Sequence, residues 1–138
     1  MTDTTGVGTT GTVSGGVRIL LRLEGLALFA GTTLLYFLWG GPWWLYVVLF
    51  LPDLSFLGYL AGPKIGAWAY NFAHSSIIPL AMLTVGFGFA PPLVLSLALI
   101  WLAHIGFDRA LGYGLKYSAG FGFTHLGRIG RGADVSKV

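Results

Sequence analysis

Four apolar runs, separated by short clusters of glycine and proline, set the pattern of this chain. The runs cover about residues 17–39, 43–60, 65–87 and 91–112. The breaks are Gly40-Gly41-Pro42, Ala61-Gly62-Pro63-Lys64 and Gly88-Phe89-Ala90-Pro91-Pro92. At about 1.5 Å per residue, runs of this length match a hydrocarbon core about 30 Å thick. Ala27, Ala30 and Gly31 in the first run let a second helix come close. Trp43, Trp44 and Tyr46 open the second run as an interfacial aromatic belt. Pro52 and Pro79 each remove a helical hydrogen bond, which predicts kinks in the second and third helices. Residues 1–16, rich in Thr, Gly and Ser, read as a disordered tail. They lack the basic start of a secretory signal. Residues 118–138 read as an interfacial segment that becomes disordered towards Val138.

Composition supports the same reading. Hydrophobic residues make up 55% of the chain and charged ones 9%, against about 25% charged in soluble domains. The net charge is +3, and all eight Lys and Arg lie in the N-terminal segment, at Lys64 or from Arg109 onward. That distribution speaks to topology and gives no support for a nucleic-acid partner. The turns at 40–42 and 88–92 have no basic residue, so the positive-inside rule puts both termini and the Lys64 turn in the cytoplasm. The expected fold is an all-α, multi-pass, four-helix bundle of the cell membrane. Its domain covers residues 17–117, and the lipid bilayer is its partner. The absence of cysteine excludes disulfides and thiolate metal sites.

The candidate chemistry lies in the ionisable residues inside these runs. His104 and Asp108 are four apart and share a helix face, and Asn71 and His74 are three apart on another. Asp53 follows Pro52 and has no basic residue near it in sequence. Counted from the cytoplasmic ends, Glu24 lies about 9 Å deep, Asp53 about 10 Å, His74 and His104 about 12 Å, and Asp108 about 6 Å. Carboxylates and imidazoles at one depth suit a divalent cation or a hydrogen-bonded proton network. Plainer readings stand beside this one. Each His also suits an interhelical hydrogen bond. Asp108 also suits Arg109 or Arg22, and Glu24 suits Arg18 or Arg22. Haem held between His74 and His104 is a further alternative. The ligand set read from the sequence is Asp53, His74, His104 and Asp108, around zinc or manganese. Glu24 is the candidate general base, and Asn71, Ser75, Arg109 and His125 are supporting residues.

Several stretches carry a resemblance. They are Leu23-Glu24-Gly25, Pro52-Asp53-Leu54-Ser55, Asn71-Phe72-Ala73-His74, the run from His104 to Tyr117, and Thr124-His125-Leu126-Gly127. Over about Val17 to Arg131 the chain resembles a family of small bacterial integral-membrane proteins of unknown function. More distantly it resembles the membrane-bound metal-dependent hydrolases, whose pattern is Pro-Asp-x-Asp, a His-Arg pair, Thr-His-Ser and a late His-x-x-x-Asp. Pro52-Asp53-Leu54-Ser55, His74-Ser75 and His104 with Asp108 follow that order. Ser55 stands where the second Asp would be, and Asn71 lies near the place of the missing His-Arg pair. This likeness implies a metal-dependent hydrolase acting at the inner membrane face on a lipid-borne or small-molecule ester. The contrasting reading is a non-enzymatic membrane protein whose polar groups only pack helices.

The topology predicts a labelling pattern. Cysteines placed at Gly41 and Ala90 should react with impermeant reagent from outside the cell, and those at Lys64 and Ser136 only after lysis. External labelling at Lys64 would overturn the arrangement.

Overall fold

The computed structural model describes residues 12–89 and 92–129. Among these, the chain forms α1 (Gly15–Leu38), a 3₁₀ helix (Trp43–Ala61), α2 (Pro63–Ala73), α3 (Ile77–Gly88) and α4 (Pro92–Leu111). A short antiparallel hairpin follows, with β1 (Phe123–Thr124) paired to β2 (Gly127–Arg128). α1, the 3₁₀ helix and α4 are each long and apolar enough to cross a membrane. Large apolar side chains point outward all around: Leu38, Trp43, Val47, Leu60, Trp68, Ile77 and Phe87 are each more than half exposed. A water-soluble surface rarely exposes so much contiguous apolar area.

α4 is the central element. Its charge-free run is buried from Ala98 to Gly106, except for the partly buried Trp101, as expected of a helix that is apolar on every face. α1 packs along it, with Leu99, Ile100 and Ala103 meeting Tyr36 of α1 and Leu49 of the 3₁₀ helix. Two glycines bring the backbones of α1 and α4 together. A Cβ on Gly106 would lie 2.5 Å from the Phe29 amide nitrogen and 2.7 Å from the Gly25 carbonyl oxygen. A Cβ on Gly25 would lie 2.4 Å from that of Arg109. Residues 25, 29 and 36 thus descend α4 from 109 to 106 to 99, and the two helices run antiparallel.

Two of the apolar runs depart from the sequence expectation. The second is not an α-helix kinked at Pro52 but a 3₁₀ helix over all 19 residues. Hydrogen bonds three residues apart mark its two ends: Leu45 to Pro42, and Gly62 to Tyr59. Its inner row has the period of three that this geometry imposes: Tyr46, Leu49, Pro52, Ser55 and Gly58 are all at least partly buried. At about 2.0 Å per residue the segment is about 38 Å long, against about 28 Å for an α-helix. α2 packs against it where a Gly58 Cβ would lie 2.9 Å from that of Ala69.

The third run is not one helix with a kink. It breaks at His74-Ser75-Ser76 into α2 and α3, of 11 and 12 residues. Pro79 explains the position. It has no N–H for the Ser75 carbonyl, and its ring would clash with that carbonyl. The chain therefore leaves the helix and restarts with Pro79 in a new first turn, where an N–H has no helical partner in any case. α2 lies on the 3₁₀ helix and α3 on α4, and the two halves do not pack along one another.

The two ends of the molecule are distinct. The start of α1 meets the hairpin through Val13 N–H to the His125 carbonyl (2.9 Å), and Tyr59 meets Phe121 with ring centroids 5.5 Å apart. At the opposite end, Trp39 meets Phe87 edge-on at 5.4 Å. The described N-terminal residues, the Gly62 turn and the C-terminal segment therefore share one end. Where the sequence suggested an interfacial tail, residues 118–129 carry the hairpin. The segments read as disordered lie largely outside the described residues.

Gly106→Ala should destabilise the bundle by about 1–3 kcal/mol, because backbone blocks the new methyl group. Gly31→Ala meets nothing within 4 Å and should be neutral or stabilising. Chemical unfolding of detergent-purified protein compares the two.

Candidate metal centre

Two structural irregularities and one regular helix aim four side chains at one point. Asp53 follows Pro52 on the 3₁₀ helix. His74 is the C-cap of α2, at the break Pro79 imposes. His104 and Asp108 stand one turn apart in the last part of α4. One donor atom from each lies within 4.8 Å of the other three. His74 Nε2 is 3.0 Å from His104 Nε2, 3.3 Å from Asp108 Oδ2 and 3.6 Å from Asp53 Oδ1. His104 Nε2 is 3.5 Å from Asp53 Oδ1 and 3.7 Å from Asp108 Oδ2. Ligands about 2.0–2.2 Å from a tetrahedral ion stand about 3.3–3.6 Å apart, and these spacings bracket that range.

The ring tautomers sharpen the picture. His74 Nδ1 lies 2.8 Å from the Tyr70 carbonyl. A carbonyl only accepts, so Nδ1 carries the proton and Nε2 turns a lone pair to the centre. The Leu49 carbonyl faces His104 from the 3₁₀ helix, short of full hydrogen-bond geometry at Nδ1. In a 3₁₀ ladder that carbonyl would accept from residue 52, which is proline and has no N–H. His104 Nδ1 has no hydrogen-bond partner among the described residues, and its Nε2 can donate to His74 Nε2 at 3.0 Å. Two imidazole nitrogens and two carboxylate oxygens then converge, a set that could hold a metal ion or share a proton between the two rings.

The surroundings hold this arrangement. Tyr70 touches two of the four residues: its ring stacks on His74 with centroids 3.7 Å apart, and its hydroxyl donates to Asp108 Oδ2 at 3.1 Å. The carbonyls freed at the end of α2 are taken up by α4. Trp101 Nε1 donates to Ala73 O at 2.6 Å, and Arg109 donates to His74 O at 3.4 Å. Freed backbone groups inside a bundle require such partners. His74 and His104 are buried, and the Asp53 side chain, 37% exposed, marks the open side.

Other sequence candidates lie elsewhere. Glu24, expected as general base, is exposed on α1 and is not in the cluster. Ser75 accepts a weak local bond from Ile77 N–H at 3.4 Å. Asn71 grips the backbone of Lys116, donating to its carbonyl at 2.7 Å and accepting its N–H at 2.6 Å. That grip holds the C-terminal segment against α2. The nitrogens of His74 and His104 stand too close together for a macrocycle to fit between them, so the haem alternative is withdrawn. Two residues were missed in the sequence. Tyr70 carried a signal, as it lies four before His74 on one helix face. Lys116 carried none. It is buried, with its ammonium donating to the Phe121 carbonyl at 2.9 Å and lying 3.8 Å from the Phe121 ring centre and 4.7 Å from that of Tyr70. Burial pushes its pKa down to about 8, partly opposed by Asp108.

Residues 18–129, which include all four cluster residues and the hairpin, match the family described as "Domain of unknown function (DUF4260)". No curated protein and no solved structure matches the chain.

His125 supports the hairpin in its neutral form, accepting the Leu115 N–H at Nδ1 (2.9 Å). Burial, and then the charge of Arg109, push its pKa below the usual imidazole value of 6.5. Below pH 6.5 the unfolded segment takes up a proton that the folded one resists. Hairpin stability is therefore complete above pH 6.5 and falls as the pH drops below it. Amide protection over residues 113–129 should decrease between pH 7.5 and pH 5, and His125→Gln should remove that dependence.

Proposed function

The chain belongs to this family of unknown function, DUF4260, and we propose that it is a multi-pass cell-membrane protein built around a divalent-metal centre of hydrolase type. The ligands are Asp53, His74, His104 and Asp108, and the metal is zinc or manganese. The observation that carries this reading is the convergence of four acceptor atoms at the spacing of a coordination shell. Such an ion, when bound, acts as a Lewis acid and lowers the pKa of water. His74 is oriented through the Tyr70 carbonyl, and the Tyr70 hydroxyl holds the Asp108 carboxylate. Asp53, the most exposed ligand, supplies the side from which substrate approaches.

An apolar cavity of about 350 Å³ is walled by chain neighbours of the cluster, though by none of the four ligands themselves. Pro52 and Ser55 of the 3₁₀ helix, Ala73 beside His74, and Ile100 and Trp101 of α4 line it. A cavity of this kind favours a lipid-borne ester as substrate, reached from the inner leaflet. The second reading is a structural metal that clamps the α2–α3 break to the 3₁₀ helix and α4. Four protein ligands closing a tetrahedron favour it, since catalytic zinc sites keep a position open.

Protein purified without chelator should carry close to one equivalent of metal. His104→Ala and Asp53→Asn should carry far less while still inserting, because apolar length drives insertion. Ester hydrolysis that depends on the metal supports the enzyme. A loaded but inert protein whose stability falls on metal removal supports the clamp. Wild type that neither holds metal nor takes up zinc or manganese overturns both.

A further inference from the structure

A second feature lies on the opposite flank of α4. α1 and α4 enclose a groove of about 410 Å³ on the outer surface, lined by Leu23, Leu26, Phe29 and Phe107, with Arg22 its only charged residue. Arg22 is held in place. Its Nε donates to the Ala110 carbonyl at 2.9 Å, and its guanidinium lies against Gly112, where a Cβ would be 3.8–3.9 Å away. One of its five N–H donors is thereby used.

The local charge is uncompensated. Arg18 lies one turn before Arg22 on α1, close enough for the two to repel. Its guanidinium lies against Gly127, and its Nε is buried without a hydrogen-bond partner. Among the described residues neither arginine has a carboxylate partner, and the first turn of α1 contains no acid. The positive end of the α1 dipole lies here beside the negative end of antiparallel α4, so the charge at this end is that of the two arginines. A fixed cation above an apolar trough, at the end of a helix long enough to span a bilayer, has the polarity of a lipid: charge at the surface, hydrocarbon below.

We propose that the α1–α4 groove binds an anionic membrane phospholipid. Its phosphate is held by the free N–H groups of Arg22 in the field of Arg18, and an acyl chain lies along Leu23, Leu26, Phe29 and Phe107. The site is separate from the metal centre and needs no metal. One arginine is worth about fivefold in affinity near an anionic surface, so selectivity for anionic over zwitterionic lipid of that order or more is expected.

Native mass spectrometry of the full chain in detergent tests this, with added phosphatidylglycerol, phosphatidylcholine or inorganic phosphate. Wild type should retain one phosphatidylglycerol, at least about fivefold more tightly than phosphatidylcholine, and should not retain phosphate alone. Arg22→Gln should bind both lipids equally. Leu26→Trp, at an exposed position where the indole fills the trough, should lose both. Arg22→Lys should keep the preference at lower affinity, which separates charge recognition from the capping of α4. Metal content should be unchanged in all three variants. Equal retention of the two lipids by wild type, unchanged selectivity in Arg22→Gln, or retention of inorganic phosphate alone would overturn the proposal.

Discussion

The missing N–H of Pro79 shapes the middle of this molecule. It ends α2 at His74, and that ending has three effects. It turns the His74 ring so that its own preceding turn, through the Tyr70 carbonyl, fixes the tautomer. It frees the Ala73 and His74 carbonyls, which Trp101 and Arg109 of α4 take up. It also leaves two short helices where one long one would have carried the chain past α4 without offering a side chain to it. Pro52 acts in a related way on the 3₁₀ helix, where it leaves the Leu49 carbonyl without its ladder donor and facing His104.

The convergence has an energetic logic. Four acceptor atoms within 4.8 Å of one another repel unless a cation or protons lie among them. Hydrogen bonds to the outer faces of the ligands do not relieve that repulsion. They fix two of the groups in place, because the Tyr70 carbonyl holds His74 and the Tyr70 hydroxyl holds Asp108. The two imidazoles lie within pairing distance of each other, and Asn71 pairs in the same way with the Lys116 backbone.

Much of this was legible in the sequence, and the misses have physical causes. Hydrophobic length gave the apolar segments, and equal depth from the ends brought Asp53, His74, His104 and Asp108 together. The same depth argument included Glu24 wrongly. Depth says nothing of rotation, and Gly25 beside it, not Glu24, faces α4. The 3₁₀ geometry was hidden because the 43–61 run is apolar on nearly every face, so no period of three stands out against 3.6. The break at His74 was placed too late because a proline acts on the carbonyl four residues before it. Lys116 was counted only among the basic residues that set the topology. Its burial depends on the hairpin folding back, and a six-residue link through Gly120 and Gly122 carries no hydrophobic pattern to announce that.

The grip of Asn71 on Lys116 also bears on the order of assembly during synthesis. Asn71 emerges from the ribosome 45 residues before the backbone it holds, and all four cluster residues precede Lys116. Four of the five helical segments, through Gly88, thus precede by more than 25 residues the chain that forms the wall behind Tyr70. During that interval the inward-pointing groups are open to water and ions on the side that Lys116 and Phe121 later cover. The last segment made thus acts as a closure, laid over the Tyr70 ring that backs His74.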